Sequence, residues 1–233
     1  MEINVLNCIE GAKKARGITV IIDVFRAFTV EAYLAEGGAG LIIPVKDIEE
    51  AFSFKKRHPS AVLCGERRGV RIEGFDLGNS PFDLLDADFR GKTVIHTTSA
   101  GTQGIAAASG ADEIIAGSLV CASAIAKYIK MRSPSVVSLV AMGLDGITPT
   151  EEDILCAEYI RALLTGSPLP DMETERANVK RTSGAKFFDP AQSEVFKTGD
   201  FELCMREDTF PFVLRLSDDK KHGYRYMEKI TVL

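Results

Sequence analysis

The sequence lacks the long apolar run of a membrane span, since none approaches the roughly 20 residues that cross a bilayer. Its first five residues, MEINV, lack the basic and then apolar pattern of a secretion signal. Basic residues are in deficit, with 28 Lys and Arg against 33 Asp and Glu, so nothing in the charge favours nucleic acid or an anionic membrane as a partner. These absences predict a cytoplasmic protein with small-molecule ligands, and they do not exclude a homo-oligomer.

Cysteine is sparse and shows no pattern. The five cysteines are Cys8, Cys64, Cys121, Cys156 and Cys204. An odd total without a Cys-x-x-Cys pair argues against a disulfide framework and against a structural zinc site. We therefore expect reduced thiols.

Several signatures of covalent hydrolases are also missing. Asp23 has no second aspartate two residues later, Cys64 lacks the arginine spacing of cysteine phosphatases, and Ser99 lacks the first glycine of a Gly-x-Ser-x-Gly elbow. Residues 221–223 (KHG) differ from the Arg-His-Gly start of histidine phosphatases. Covalent catalysis is therefore disfavoured, although a nucleophilic Cys64 remains open.

What is present is an ordinary globular composition, with 45% hydrophobic and 26% charged residues among 233. Apolar runs rich in Val and Ile predict strands at 18–24, 41–45, 61–63, 93–95, 113–116 and 136–142. Helical spacing predicts helices at 27–35, 47–57, 102–109, 122–131 and 151–164. This alternation predicts an α/β fold with three layers, α/β/α, around a mainly parallel or mixed sheet.

The sequence becomes turn-rich and charged after about residue 165. Breaks are predicted at 166–170 and 188–190, and antiparallel strands around 210–214, where Pro211 would confine a strand to a sheet edge. We predict one domain over 1–233, with a subdivision near 165–170 left open.

The segments 65–69 (GERRG) and 74–81 (GFDLGNSP) bring carboxylates, guanidinium groups and glycines into one predicted loop. Carboxylates suit a hard divalent cation, while arginines and free backbone amides suit phosphate or sulfonate. This combination indicates phosphoryl chemistry. A structural alternative stays open, because Ser80, Pro81 and Asp83 also fit a capped helix start.

Ligands of open α/β sheets collect at the carboxyl ends of strands, and two further strand ends carry polar groups. Asp23 and Arg26 follow the first strongly apolar strand. The turn at 96–104 (HTTSAGTQG) offers hydroxyls and helix-start amides to an anion. Plain helix capping is the alternative at both places.

The segment 150–153 (TEED) also follows a strand, but Thr150 and Asp153 form a capping-box pattern, so capping is the favoured interpretation there. His96 lies near the predicted site. A histidine on a strand is more often a satisfied core residue than a catalyst, so we treat it as secondary.

On these residues the chain resembles the 2-phosphosulfolactate phosphatase family, magnesium-dependent hydrolases associated with coenzyme M biosynthesis, over most of its length. Residues 65–67 with 74–81 are the most specific part of the resemblance. Residues 23–27 (DVFRA) resemble the family's first strand end, and 152–153 with 156–157 resemble its acidic helix start.

The resemblance implies Mg²⁺ as cofactor and hydrolysis of (2R)-2-phospho-3-sulfolactate to 3-sulfolactate and phosphate. The residues assigned to catalysis are Asp23, Glu66 and Asp76. The residues assigned to magnesium are Asp23, Glu66, Asp76, Glu152 and Asp153. The residues assigned to substrate binding are Arg26, Arg67, Asn79, Ser80, Thr97, Thr98, Ser99, Gly101 and Thr102.

The turn at 97–102 reads TTSAGT where the family is expected to read TTNGT, and Phe28 and Val30 replace expected threonines. These departures fall where substrate is expected to lie. Two alternatives therefore stay open: a phosphatase of another small phosphohydroxy acid, and a non-catalytic sensor of an anionic metabolite.

Overall fold

The computed structural model describes residues 1–232. The strands in this part of the chain are β1 (Glu2–Asn7), β2 (Gly17–Ile22), β3 (Leu41–Pro44), β4 (Val62–Arg67), β5 (Val70–Arg71), β6 (Thr93–Thr97), β7 (Ala111–Gly117), β8 (Val136–Ala141), β9 (Phe212–Asp219) and β10 (Tyr224–Thr231). The α-helices are α1 (Cys8–Lys14), α2 (Ala27–Glu36), α3 (Ile48–Arg57), α4 (Gly101–Ala107), α5 (Ala122–Arg132), α6 (Glu151–Thr165), α7 (Met172–Arg181) and α8 (Thr198–Cys204). Short 3₁₀ helices occur at Phe82–Leu84, Leu119–Cys121, Ala185–Phe188 and Pro190–Gln192.

The strands form two sheets. The larger has the order β1-β8-β2-β7-β9-β10. The first four strands in this order are parallel to one another, whereas β9 pairs antiparallel with β7 and with β10. The smaller has the order β3-β6-β4-β5, with only β5 antiparallel. The α/β class and the antiparallel C-terminal strands are confirmed. The division into two mixed sheets is a feature that the sequence did not predict.

The apolar runs form strands because the sheets are covered on both faces. In β2, every residue from Ile18 to Ile22 is buried. Helices α1 and α4 pack together and against β8 and β2, while α5 and α6 form a second packed pair that contacts β7 and β8. In the smaller sheet, α3 covers Ile43, Leu63 and Ile95 with Phe54. This helix-covered arrangement is the one expected for continuous apolar strands.

The C-terminal part completes the fold. Phe187, Phe201 and Phe212 are buried in the same core as the central strands of the larger sheet. Strand β9 lies inside that sheet between β7 and β10, so the predicted edge position is wrong. The reason is that Pro211 precedes the strand, where its missing amide hydrogen breaks no ladder bond. The predicted break at 166 is the left-handed C-cap of α6.

Within residues 1–232, no helix combines the length and the apolar content needed to cross a membrane. All five cysteines are buried with free thiols.

Candidate active site

The predicted strand ends converge on a cavity of about 320 Å³, which we name the carboxylate cavity after its three buried bordering acids, Asp23, Glu66 and Glu152; the less buried Asp145 borders it too. It lies at the carboxyl ends of β2 and β8 in the larger sheet and of β4 and β6 in the smaller one. A larger cavity of about 670 Å³ lies beside β3, α3 and the β9–β10 turn, but none of the three predicted catalytic carboxylates borders it. The chemistry therefore points to the smaller cavity.

Asp23 follows β2 directly and is almost fully buried. Its Oδ1 accepts a hydrogen bond from the Ala27 amide (3.1 Å), and its Oδ2 accepts one from the Gly101 amide (2.8 Å). Asp23 thus caps the starts of α2 and α4 and borders the cavity at the same time. Burial raises the pKa of Asp23 to about 6; nearby Glu66 and Glu152 add to the rise, and the two amides oppose it.

Glu66 is held by three donors at the end of β4. Its Oε1 accepts from the Ser99 amide (2.7 Å), and its Oε2 accepts from the Gly69 amide (2.6 Å) and the Ser99 hydroxyl (3.1 Å). The side chain is buried at the cavity wall. This carboxylate is therefore fixed before any ligand arrives.

The hydroxyl-rich turn, predicted to cradle a substrate anion, binds the protein's own carboxylates instead. The amides of Ser99 and Gly101 are taken by the acids described above, and Thr98 and Thr102 bond to each other through reciprocal amide–hydroxyl contacts of 2.9 and 3.2 Å. Glycine at 101 leaves room for this contact, because an added Cβ would lie only 3.0 Å from Asp23 Oδ2. The turn therefore holds the carboxylates of Asp23 and Glu66 in place.

The capping-box interpretation of 150–153 is wrong. Thr150 is the N-cap of α6 by position, but its buried hydroxyl has no partner within residues 1–232. Asp153 accepts instead from the amides of Val24 (2.8 Å) and Gly143 (2.7 Å), tying the ends of β2 and β8 together. Burial, then the charges of Glu152 and Asp23, raise the pKa of Asp153.

Glu152 is the member of that segment that borders the cavity. It is buried, and its Oε2 accepts a hydrogen bond from the Ser183 hydroxyl. Burial raises the pKa of Glu152, while Ser183 and the positive charge of Lys186 lower it.

Asp76 does not join the other carboxylates. The segment 74–81 runs parallel to β4, with Leu77 bridged to Cys64, so Asp76 lies beside the start of the strand and not at its carboxyl end. It accepts from the Leu63 amide (2.8 Å), pairs with Lys55 (3.1 Å) and is about half exposed (47%). The structure therefore does not support Asp76 as a catalytic or metal-binding residue of this cavity.

Arg26 borders the cavity, but its guanidinium group is bound by other parts of the chain. Its Nη1 donates to Asp200 Oδ2 and to the Val195 carbonyl, both at 2.8 Å, and its Nη2 donates to the Gly69 carbonyl (3.0 Å). Ser80 donates to the other oxygen of Asp200 (2.6 Å), which removes its hydroxyl from the cavity. These buried contacts fasten the C-terminal segment to the site.

Arg67 lies outside the carboxylate cavity. Its Nη2 donates to Thr97 Oγ1 (2.9 Å) and to the Lys46 carbonyl (3.2 Å), beside a separate shallow opening. Successive residues of a strand face opposite ways, so Glu66 and Arg67 cannot share one face. Arg68, the first residue of the turn between β4 and β5, borders the cavity, and its place in the segment 65–69 was the signal that could have identified it.

Lys186 and Phe196 also border the cavity and were missed. Both belong to the turn-rich region, where no motif marks them. The Lys186 ammonium lies 5.1 Å from the centre of the Phe196 ring. Asn79, by contrast, was predicted and borders the cavity.

Cys64 is not suited to nucleophilic catalysis. Its thiol is fully buried and donates to the Gly78 carbonyl (3.1 Å). Burial raises the pKa of this thiol well above its usual range. The group therefore stays protonated, whereas the thiolate is the reactive form.

The donor set of the carboxylate cavity fits Mg²⁺, which prefers oxygen ligands. Within residues 1–232, no three Asp, Glu, His or Cys side chains stand together as a ready-made metal cage. Mg²⁺ does not require one, because it is usually bound through one or two carboxylates, water and substrate phosphate. The pKa of Asp23 is raised first by burial and then by the charges of Glu66 and Glu152, and a bound cation would offset this second effect.

Comparison with known proteins shows the family of the chain. The family model described as 2-phosphosulpholactate phosphatase matches residues 6–219. The chain is 32% identical to a Bacillus subtilis protein, with 87% of this chain and 88% of that protein covered, and 35% identical to one from Caldicellulosiruptor saccharolyticus, with 81% and 84% covered. Both carry the name "Probable 2-phosphosulfolactate phosphatase". A protein of the same name from Carboxydothermus hydrogenoformans is 41% identical, with 70% and 68% covered. The resemblance is confirmed, and the chain belongs to the 2-phosphosulpholactate phosphatase family.

Proposed function

We propose that this protein is a magnesium-dependent phosphatase that hydrolyses (2R)-2-phospho-3-sulfolactate to 3-sulfolactate and phosphate. The observation that carries the proposal is the carboxylate cavity, where buried, amide-held carboxylates stand beside the cationic side chains of Arg68 and Lys186. The family names of the relatives support the same reaction. A role in coenzyme M biosynthesis and a cytoplasmic location are parts of the proposal.

The cationic side chains available to the substrate are those of Arg68 and Lys186. Within residues 1–232, neither side chain forms an ion pair with a carboxylate. Arg26 is less available because Asp200 already neutralises it. A substrate with phosphate, carboxylate and sulfonate groups needs several cationic partners, and arginine and lysine are the side chains that supply them.

One or two of the carboxylates of Asp23, Glu66 and Glu152 would hold Mg²⁺. When bound, the ion would polarise the phosphoryl group and offset the charge of the transition state. The chain itself supplies fixed positions for these acids, because backbone amides and hydroxyls already bind their oxygens. Without the ion, Asp23 has a pKa of about 6, and a bound cation would lower it because an opposite charge favours the carboxylate.

Release of phosphate from purified protein tests the proposal. We expect turnover of 2-phospho-3-sulfolactate that requires Mg²⁺ and exceeds turnover of phospholactate, phosphoglycolate and phosphoglycerate. Turnover of another phosphohydroxy acid alone would keep the reaction and replace the substrate. No turnover of any ester, together with stabilisation by phosphate, would favour the sensor.

A further inference from the structure

Behind the carboxylate cavity lies a buried polar pair that the proposed reaction does not use. Glu31 of α2 and His96 of β6 are both fully buried, and Glu31 Oε1 lies 2.8 Å from His96 Nδ1. The other oxygen of Glu31 has no hydrogen-bond partner within residues 1–232. A buried pair of this kind is weak support for stability, because apolar side chains fill the same space without losing hydration.

The pair has one polar neighbour on the side of the cavity, Asn79. His96 Nε2 lies 3.1 Å from Asn79 Oδ1. In this arrangement Nε2 is the donor, because an amide oxygen only accepts hydrogen bonds.

In the structure the Asn79 amide oxygen faces the ring, so its NH₂ group faces away from His96. Turning the amide over would set its NH₂ group against the ring N–H, donor against donor. The side chain borders the cavity with Asp23 and Glu66, and within residues 1–232 its Nδ2 donates to no acceptor. The NH₂ group is therefore the polar end left to face the cavity.

We propose that Glu31 and His96 are positioning residues that hold Asn79 as a hydrogen-bond donor to a phosphate oxygen of the substrate. The inference rests on the proposed function and adds a neutral donor to a site whose nearby backbone amides are already bound to carboxylates. A donor that is already oriented stabilises the phosphate charge more than one that must reorient, because no reorganisation is needed when the ligand binds.

Two matched substitutions separate positioning from simple packing. Glutamine at 96 keeps an amide donor near the Nε2 position, whereas asparagine at 96 keeps a group near Nδ1 and loses the donor to Asn79. We expect His96→Asn to lower kcat/KM about tenfold or more, since one hydrogen bond to a charged group is lost. His96→Gln should recover most of that loss.

The same two substitutions are then made in an Asn79→Ala background. Because the pair acts through Asn79, His96→Asn should cause little further loss of kcat/KM there, while its effect on the unfolding temperature should match that in the wild-type background. Equal losses of kcat/KM in both backgrounds would overturn the proposal and leave His96 a packing residue.

A second readout keeps this test independent of turnover. Inorganic phosphate should raise the unfolding temperature of the wild type and of His96→Gln more than that of His96→Asn or Asn79→Ala. If no protein turned over substrate but the phosphate-induced shifts kept this order, the proposed reaction would be wrong and the positioning proposal would stand. Equal shifts in all four proteins would defeat the positioning proposal.

Discussion

At the scale of single residues, the carboxylates of the chain differ in what holds them and in where they lie. We predict that Glu66→Gln lowers kcat/KM about 100-fold or more, the range seen when acid–base or charge stabilisation is removed. Glutamine lacks the charge and can accept at only one of the two oxygen positions that Glu66 uses. Steady-state phosphate release measures the effect.

Asp76→Asn is the control for this prediction, since Asp76 lies away from the cavity and is half exposed. Its kcat/KM should stay near that of the wild type. A loss of kcat/KM as large as that of Glu66→Gln would mean that Asp76 takes part in the reaction.

The pKa of Asp23 gives a prediction about stability. Its folded value of about 6 lies above the usual 3.8, so the folded state binds the proton more tightly than the unfolded state. The stabilising contribution of the protonated group is complete below about pH 4 and is lost as pH rises through 6. In metal-free buffer, the wild type should lose about 2 kcal/mol relative to Asp23→Asn between pH 4 and 7.

Urea unfolding of both proteins across this pH range measures the difference. Using the difference cancels the titration of acids distant from Asp23. Parallel curves would mean that Asp23 titrates alike in the folded and unfolded chain.

At the scale of elements, the Arg26–Asp200 ion pair joins the start of α2 to α8, with both side chains buried. Arg26→Ala should lower the free energy of unfolding by about 3–5 kcal/mol, because the Asp200 charge remains buried without its partner. The exposed pair of Lys13 and Glu10 is the control, and Lys13→Ala should cost less than about 1 kcal/mol. Urea titration compares the two; similar small losses would mean that water reaches Asp200.

Elements were predictable where burial leaves a plain pattern. Strands β2 and β8 are buried on both faces, and their apolar runs identify them. Strand β1 was missed because it is a partly exposed edge strand, and the following helix α1 has only seven residues and begins at Cys8 with a positive φ of 59°. Neither element produces a strong periodic signal.

At the scale of the whole molecule, the core is shared between the N-terminal elements and the turn-rich C-terminal part. We predict that residues 1–165 alone do not fold, because that chain loses Phe187, Phe201 and the β9 partner of β7. Circular dichroism during urea unfolding provides the measurement. A cooperative transition in the short chain would establish a separate domain, whereas the full chain should show a single transition.

The core shared between the N-terminal and C-terminal parts also explains why some residues of the site could not be predicted from the sequence. Asp23 and Glu66 were found because they follow apolar strands, and strand ends are where ligands collect. Lys186 and Phe196 reach the cavity through packing of the C-terminal part and the hydrogen bonds of Arg26, which are contacts between residues distant in sequence. The path of 74–81 along β4, which moves Asp76 away, is likewise set by tertiary pairing.

The hydrogen bonds of the carboxylate cavity also bear on how such a protein diverges. Asp23 joins the starts of two helices, and Glu66 joins the ends of two strands, so a mutation at either position disturbs folding and chemistry together. Within residues 1–232, the Arg68 side chain makes no hydrogen bond, so its replacement leaves the scaffold intact. Substitution of Arg68 can therefore change which substrates bind during evolution, while Asp23 and Glu66 are kept.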